Sequence, residues 1–267
     1  MTEKAVTEKV DFSKSEQYTL SIRLSTDGFS FSIYNPIHDN EFYFVPKEIK
    51  PSVSLAANVK EIFKESEFLN HPYKRENVLY ISKRFTLIPF ELYEDDDIES
   101  IFYQNHPKQE NEIVLCNILK KSGIALVYAV DKSVYQQITE IFPTATFSSQ
   151  AGVLIEHFVG KSRLGNSRKM YVYIRENAIE LYCYNRGKLL LANTFPCKET
   201  ADRVYYMLYV WKQLNFDQER DELHLCGLLN NKEELMEELR RYLGQVFIIN
   251  TKIEEIPFDL QILSLPE

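Results

Sequence analysis

Residues 18–35 and 168–185 alternate apolar and polar side chains, turn, and alternate again. Placed over each other at an offset of 150, Leu20, Ile22 and Leu24 fall on Met170, Val172 and Ile174. Phe29, Phe31 and Ile33 fall on Ile179, Leu181 and Cys183, and Tyr34-Asn35 falls on Tyr184-Asn185. A period of two on both sides of a turn predicts a β-hairpin in each place. A third strand is predicted after each hairpin, at 41–45 (EFYFV) and 189–193 (LLLAN).

The match resumes at an offset of 145, where Val59, Ile62, Phe63 and Leu69 fall on Val204, Met207, Leu208 and Leu214. Spacings of three, four and seven put such residues on one face of a helix. Val78 and Tyr80 then fall on Leu223 and Leu225 as a fourth strand. Val134 and Ile138 fall on Leu235 and Leu239, and Phe147 on Ile248, at an offset of 101. The drop from 145 to 101 places an insertion of about 44 residues in the first copy, at about 84–130. It carries an aromatic stretch (FTLIPFELY), an acidic helix start (EDDDIESIF) and a hairpin turning at 120–123.

Each copy thus reads strand, strand, strand, helix, strand, helix, strand. That order predicts an α/β fold with mixed sheets, since helix-linked strands run parallel and cross over right-handedly. Two tandem domains are expected, at 16–148 and 149–267, joined by a helix at 149–160. Residues 1–15 are polar and are expected to form a disordered tail without the apolar core of a signal peptide.

Composition adds exclusions. The 267 residues are 45% hydrophobic and 26% charged, with a net charge of −8. This balance opposes attraction to nucleic acid or an anionic membrane. No apolar run reaches the ~18 residues that span a bilayer. Cys116, Cys183, Cys197 and Cys226 are scattered and the five histidines do not join them, so no zinc pattern is present. A cytoplasmic protein with reduced thiols is expected.

The duplicated order resembles the actin-like ATPase fold, two ribonuclease H-like domains in tandem. The stretches LSIRLSTDGFSFSIYN and ISKRFTLIPFELY resemble an uncharacterised family of Bacteroidetes proteins within that fold. Assembly-platform proteins of type IV pili and type II secretion share the fold more distantly. In active members the first hairpin turn of each domain carries an Asp and Gly-Ser/Thr that hold phosphates and magnesium. Small residues let backbone N–H groups reach the anion, and a carboxylate orients the metal. A Gly-Gly after the second domain's fourth strand makes room for adenosine.

On this pattern the resemblance assigns Asp27, Gly28 and Gly227 to a nucleotide cleft that would take ATP and magnesium. The departures weigh against it. Asp27-Gly28 is followed by Phe29, and Asp-Gly is also an ordinary hairpin turn. The second turn, Arg175-Glu176-Asn177-Ala178, has no glycine, and Cys226-Gly227-Leu228 keeps one glycine of two. No catalytic residue or metal ligand is assigned, and the expected function is a non-catalytic scaffold that binds another protein, with 84–130 as the candidate docking segment; the alternative is a residual nucleotide binder using the inter-domain cleft.

Other motifs give way to simpler readings. A metal nuclease would need carboxylates where Arg23, Tyr80 and Ser82 stand. Gly160-Lys161-Ser162 lacks the earlier glycine and the preceding strand of a P-loop. Lys161, Arg163, Arg168 and Lys169 form a basic connection that could contact an anion. The run 94–97 is expected to start a helix. Tyr205, Tyr206, Tyr209, Val210 and Trp211 are expected to pack in the core and at a domain interface.

Overall fold

Apolar residues at alternate strand positions line one face of each of two sheets, whose central strands are buried on both faces. In the computed structural model, which describes residues 10–25, 28–37, 41–50, 52–251, 253 and 256–264, the first copy forms β1 (Thr19–Ser25), β2 (Gly28–Asn35), β3 (Glu41–Lys47), β4 (Arg75–Tyr80) and β8 (Thr146–Ser149). The second forms β9 (Arg168–Ile174), β10 (Ala178–Asn185), β11 (Lys188–Pro196), β12 (Glu222–Gly227) and β13 (Gln245–Ile248). The strand orders are β3-β2-β1-β4-β8 and β11-β10-β9-β12-β13. In both sheets the first three strands are antiparallel and the last two join in parallel. The internal repeat is therefore a repeat of topology.

Pairing registers refine the alignment. Ile22 pairs with Val78, and Val172, its equivalent at offset 150, pairs with Leu225. The fourth strands therefore correspond at 225 − 78 = 147, not 145. The counterpart of Val78 is Leu225, and that of Tyr80 is Gly227. A two-residue slip keeps every side chain on its own face, so alternation alone does not detect it. Val78 also pairs with Phe147 and Leu225 with Ile248, which agrees with the last-strand match.

Helices cover one face of each sheet. In the first, α1 (Leu55–Glu65) and α3 (Lys132–Ile141) bring Val59, Ile62, Phe63, Val134 and Ile138 onto Leu20, Ile22, Phe31 and Val78. Ser54 caps α1 through the Ala57 N–H at 3.2 Å, and Asp131 caps α3 through Val134 at 3.0 Å. In the second, α5 (Thr200–Gln213) and α6 (Lys232–Arg240) bring Val204, Met207, Trp211, Leu235 and Leu239 onto Val172, Leu181 and Leu225.

The insertion forms a third sheet, β5-β7-β6, from β5 (Phe85–Pro89), β6 (Glu112–Leu119) and β7 (Ile124–Asp131). Its own helix, α2 (Ile98–Asn105), packs Phe102 against Ile88, Val114 and Val127.

The chain divides into two compact units: Met1–Ile118, Gly123–Val153 and Asp259–Glu267 form one, and Leu119–Ser122 and Leu154–Phe258 the other. The C-terminal stretch thus returns to the first unit, where a second domain running to 267 is the sequence expectation. The cause is polar. In α7 (Phe258–Ser264), Asp259 is fully buried and accepts from Arg23 Nε at 3.0 Å and Gln150 Nε2 at 2.6 Å. Ser21 and Ser264 hydroxyls meet at 3.1 Å.

From Leu154 onward α4 (Gln150–Ser162) belongs to the second unit, and its Glu156 accepts from the N–H groups of Lys121 and Ser122 at 3.1 and 3.0 Å. This accounts for the hairpin tip's place there. The expected tail also differs, since residues 10–15 are ordered. Val10 is buried, Phe12–Gln17 is a short 3-10 helix, and Phe12 stacks on His71 at 4.7 Å.

Candidate functional site

The two hairpin turns are the places where an actin-like fold would meet phosphate. In the first, Thr26 and Asp27 lie outside the described residues. The register pairs Ser25 with Gly28, and Gly28 opens β2. A Cβ on Gly28 would meet nothing within 4 Å, and its counterpart at offset 150 is Ala178. Packing does not require glycine there.

The second turn is fully described. The Arg175 N–H donates to the Ala178 carbonyl at 2.9 Å, closing a turn centred on Glu176 and Asn177. Arg203 Nη2 donates to the carbonyls of Arg175 and Glu176 at 3.2 and 3.1 Å. The Cys197 N–H donates to the Asn177 carbonyl at 3.1 Å. All four carbonyls from Arg175 to Ala178 therefore accept from donors of the protein itself. Arg175 Nε lies 2.8 Å from the buried carboxylate of Glu180, which also accepts from the Tyr182 hydroxyl at 2.7 Å. Burial, with Glu180 beside it, raises the Tyr182 pKa well above the phenol range. Glu176 is exposed, and its carboxylate adds negative charge where a phosphate would need N–H donors.

Gly227 ends β12 opposite Ile174, with φ +95°. A Cβ there would stand 2.3 Å from the Ile174 carbonyl oxygen. The next N–H, of Leu228, donates to that same oxygen at 2.8 Å. Close approach of two backbones requires this glycine without any ligand. Gly28 and Gly227 belong to different units, and Gly227 is accounted for by packing within its own.

The four basic residues separate. Arg168 donates to the carbonyls of Leu214 and Asn215 at 3.0 and 3.2 Å and lies over the Phe216 ring. Lys169 is buried, with its ammonium 2.5 Å from Glu222. Arg163 donates to the Lys121 carbonyl at 2.8 Å and stays exposed. Lys161 sits at the end of α4, where desolvation lowers its pKa. The Ser162 hydroxyl donates to the Val159 carbonyl within the same helix end.

Sequence patterns did not reveal the cluster around Glu222. Its carboxylate accepts from Lys169, from the Ser167 hydroxyl, and from His224 Nε2 at 2.8 Å. Burial opposes its ionisation, but these hydrogen bonds outweigh burial and hold the pKa down to about 2. His224 is lowered by burial, partly offset by Glu222. The cross-strand pairing of Lys169 with Glu222 becomes visible only once β9 and β12 are in register.

On the insertion, Phe90 and Leu92 are 51% and 71% exposed. Tyr205 and Tyr209 also face solvent, stacked 6.0 Å apart, whereas Val210 and Trp211 are buried as expected. Among the described residues no group of three or more His, Cys, Asp or Glu converges on a cation position, and no helix is long and apolar enough to cross a membrane.

Comparison with known proteins agrees with this architecture. A protein of Bacteroides thetaiotaomicron with an actin-like ATPase fold and unknown function is 56% identical, with a TM-score of 0.87 over 97% of this chain and 99% of its own. The PilM-PilN type IV pilus biogenesis complex shares the fold at 11% identity and a TM-score of 0.54, covering 87% of this chain and 88% of its own. No curated protein matches. The model of the family described as protein of unknown function DUF3822 matches residues 7–246. The chain belongs to that family and has the actin-like ATPase fold.

Proposed function

We propose that this protein is a non-catalytic, cytoplasmic member of the actin-like ATPase fold that works as a scaffold by binding another protein. The observation that carries the reading is the second hairpin turn. Where the fold's chemistry asks for glycine and free N–H groups, this turn has no glycine, its Arg175 N–H is bonded to the Ala178 carbonyl, and Glu176 presents an exposed carboxylate. Gly227, the glycine assigned to adenosine, has a packing role against Ile174.

The insertion supports the binding half of the proposal. Exposed aromatic and aliphatic side chains next to one another mark interaction surfaces more often than chance exposure does. Phe90 and Leu92 provide such side chains on the segment that distinguishes the first copy from the second. The pilus protein of similar fold is found in a complex, and function on a shared fold resides in the site that each member builds.

Affinity capture from host cells tests this, with the wild-type chain and a Phe90→Ala/Leu92→Ala variant compared quantitatively. A protein enriched on the wild type, depleted on the variant and rebinding as a purified component is the expected result. Capture unchanged by the double substitution contradicts the proposal.

A further inference from the structure

The surface around Phe90 has a chemical character beyond exposure. The rings of Phe90 and Tyr93 stack 6.3 Å apart at an interplanar angle of 15°. The Phe90 N–H donates to the Gly123 carbonyl at 3.0 Å, which ties this stretch to the residue that precedes β7. Tyr93 packs against the insertion's core with Cys116, and Ile118, on the same face of β6 as Cys116, is 39% exposed. Phe90, Leu92 and Tyr93 thus place large apolar side chains on one short 3-10 turn and the residue after it, with Ile118 exposed on β6 of the same sheet.

Carboxylates surround it. Residues 90–99 (FELYEDDDIE) contain six acids and no base, and all six acids are exposed. Asp95 accepts from the Tyr93 hydroxyl. Glu91, Glu94, Asp96, Asp97 and Glu99 form no ion pair among the described residues. The segment thus carries negative charge with no base of its own. Like charges crowded on one segment repel, and a cationic partner relieves that repulsion and is steered toward it.

We propose that this patch docks a basic, apolar segment of a partner protein, in which Lys or Arg alternates with large apolar side chains. The inference rests on the docking reading above and specifies its partner. An anionic membrane or a nucleic acid would be repelled. A second copy would set one acidic rim against another. The carboxylates do not converge on a cation position, so charge pairing along a peptide is the arrangement left.

Fluorescence anisotropy with three synthetic peptides tests this. One alternates Leu and Phe with Lys and Arg, a second replaces the bases by Glu, and a third replaces the apolar residues by Ser. The first is expected to bind at least about tenfold more tightly than either control, and more weakly as salt rises. Phe90→Ala/Leu92→Ala and Glu91→Gln/Glu94→Gln/Asp96→Asn are each expected to lose about tenfold. All the substituted side chains are exposed, so both variants are expected to keep the wild-type circular dichroism melt. Equal binding of the three peptides, no binding, or affinity unchanged by either variant overturns the proposal. If host-cell capture is lost with the Phe90/Leu92 variant but survives the carboxylate variant, the basic partner is refuted while docking stands. If neither variant alters capture, the docking reading falls as well.

Discussion

Gly227 and Gly28 look alike in the sequence, yet the atoms around them give opposite expectations. At Gly227 a methyl group would collide with the Ile174 carbonyl at 2.3 Å, on a backbone already at φ +95°. Gly227→Ala is therefore expected to cost about 3 kcal/mol or more, from strain and a displaced strand. Gly28→Ala meets open space and should change stability by less than about 0.5 kcal/mol. Urea unfolding of both variants checks this, and equal losses would contradict it. The sequence made both glycines visible as marks of the fold, but not their roles, because those depend on a neighbouring strand. The same holds for Arg168 and Lys169. Their charge was legible, whereas the Asp221–Glu222 stretch that engages them lies more than fifty residues away.

Among the elements, strands and helices were legible because alternation and helical spacing record which face is buried. Register was less so, since a slip of two residues preserves every face. That is why the fourth strand's counterpart moved from Leu223 to Leu225. The destination of α7 was hidden for a different reason. Arg23 and Asp259 pair across 236 residues, and no local pattern links them.

The joint between β9 and β12 shows what such polar pairs contribute. Glu222 is held near a pKa of about 2, against a usual value of 4.5. Its folded pKa is depressed, so its stabilisation is present above the unfolded value and is lost as pH falls from about 4.5 toward 2. His224, lowered below 6.5 by burial, acts in the same direction, because the unfolded chain binds its proton first. Acidification should therefore destabilise the wild type through both groups. Glu222→Gln should cost about 1.5–3 kcal/mol at neutral pH and flatten the fall in stability between pH 4.5 and 2. Chemical denaturation across that range reads the difference, and parallel curves for wild type and variant would contradict it.

For the whole molecule, the repeated strand order and the position of the insertion could be read from the sequence, and the family comparison agrees. Activity could not, because a turn's chemistry depends on which backbone groups face outward. Arg203 at the carbonyls of Arg175 and Glu176 is invisible to any motif. The central claim is that the fold persists here without nucleotide chemistry. Thermal melting with and without millimolar magnesium-ATP, combined with phosphate-release measurement, tests it most directly. A nucleotide present at a hundred times its dissociation constant would stabilise the native state by about 2.7 kcal/mol, or about 5–10 °C. The expected result is an unchanged melting temperature and no phosphate released above the buffer rate. A saturable, magnesium-dependent rise in melting temperature, or hydrolysis that follows the protein concentration, would contradict the account.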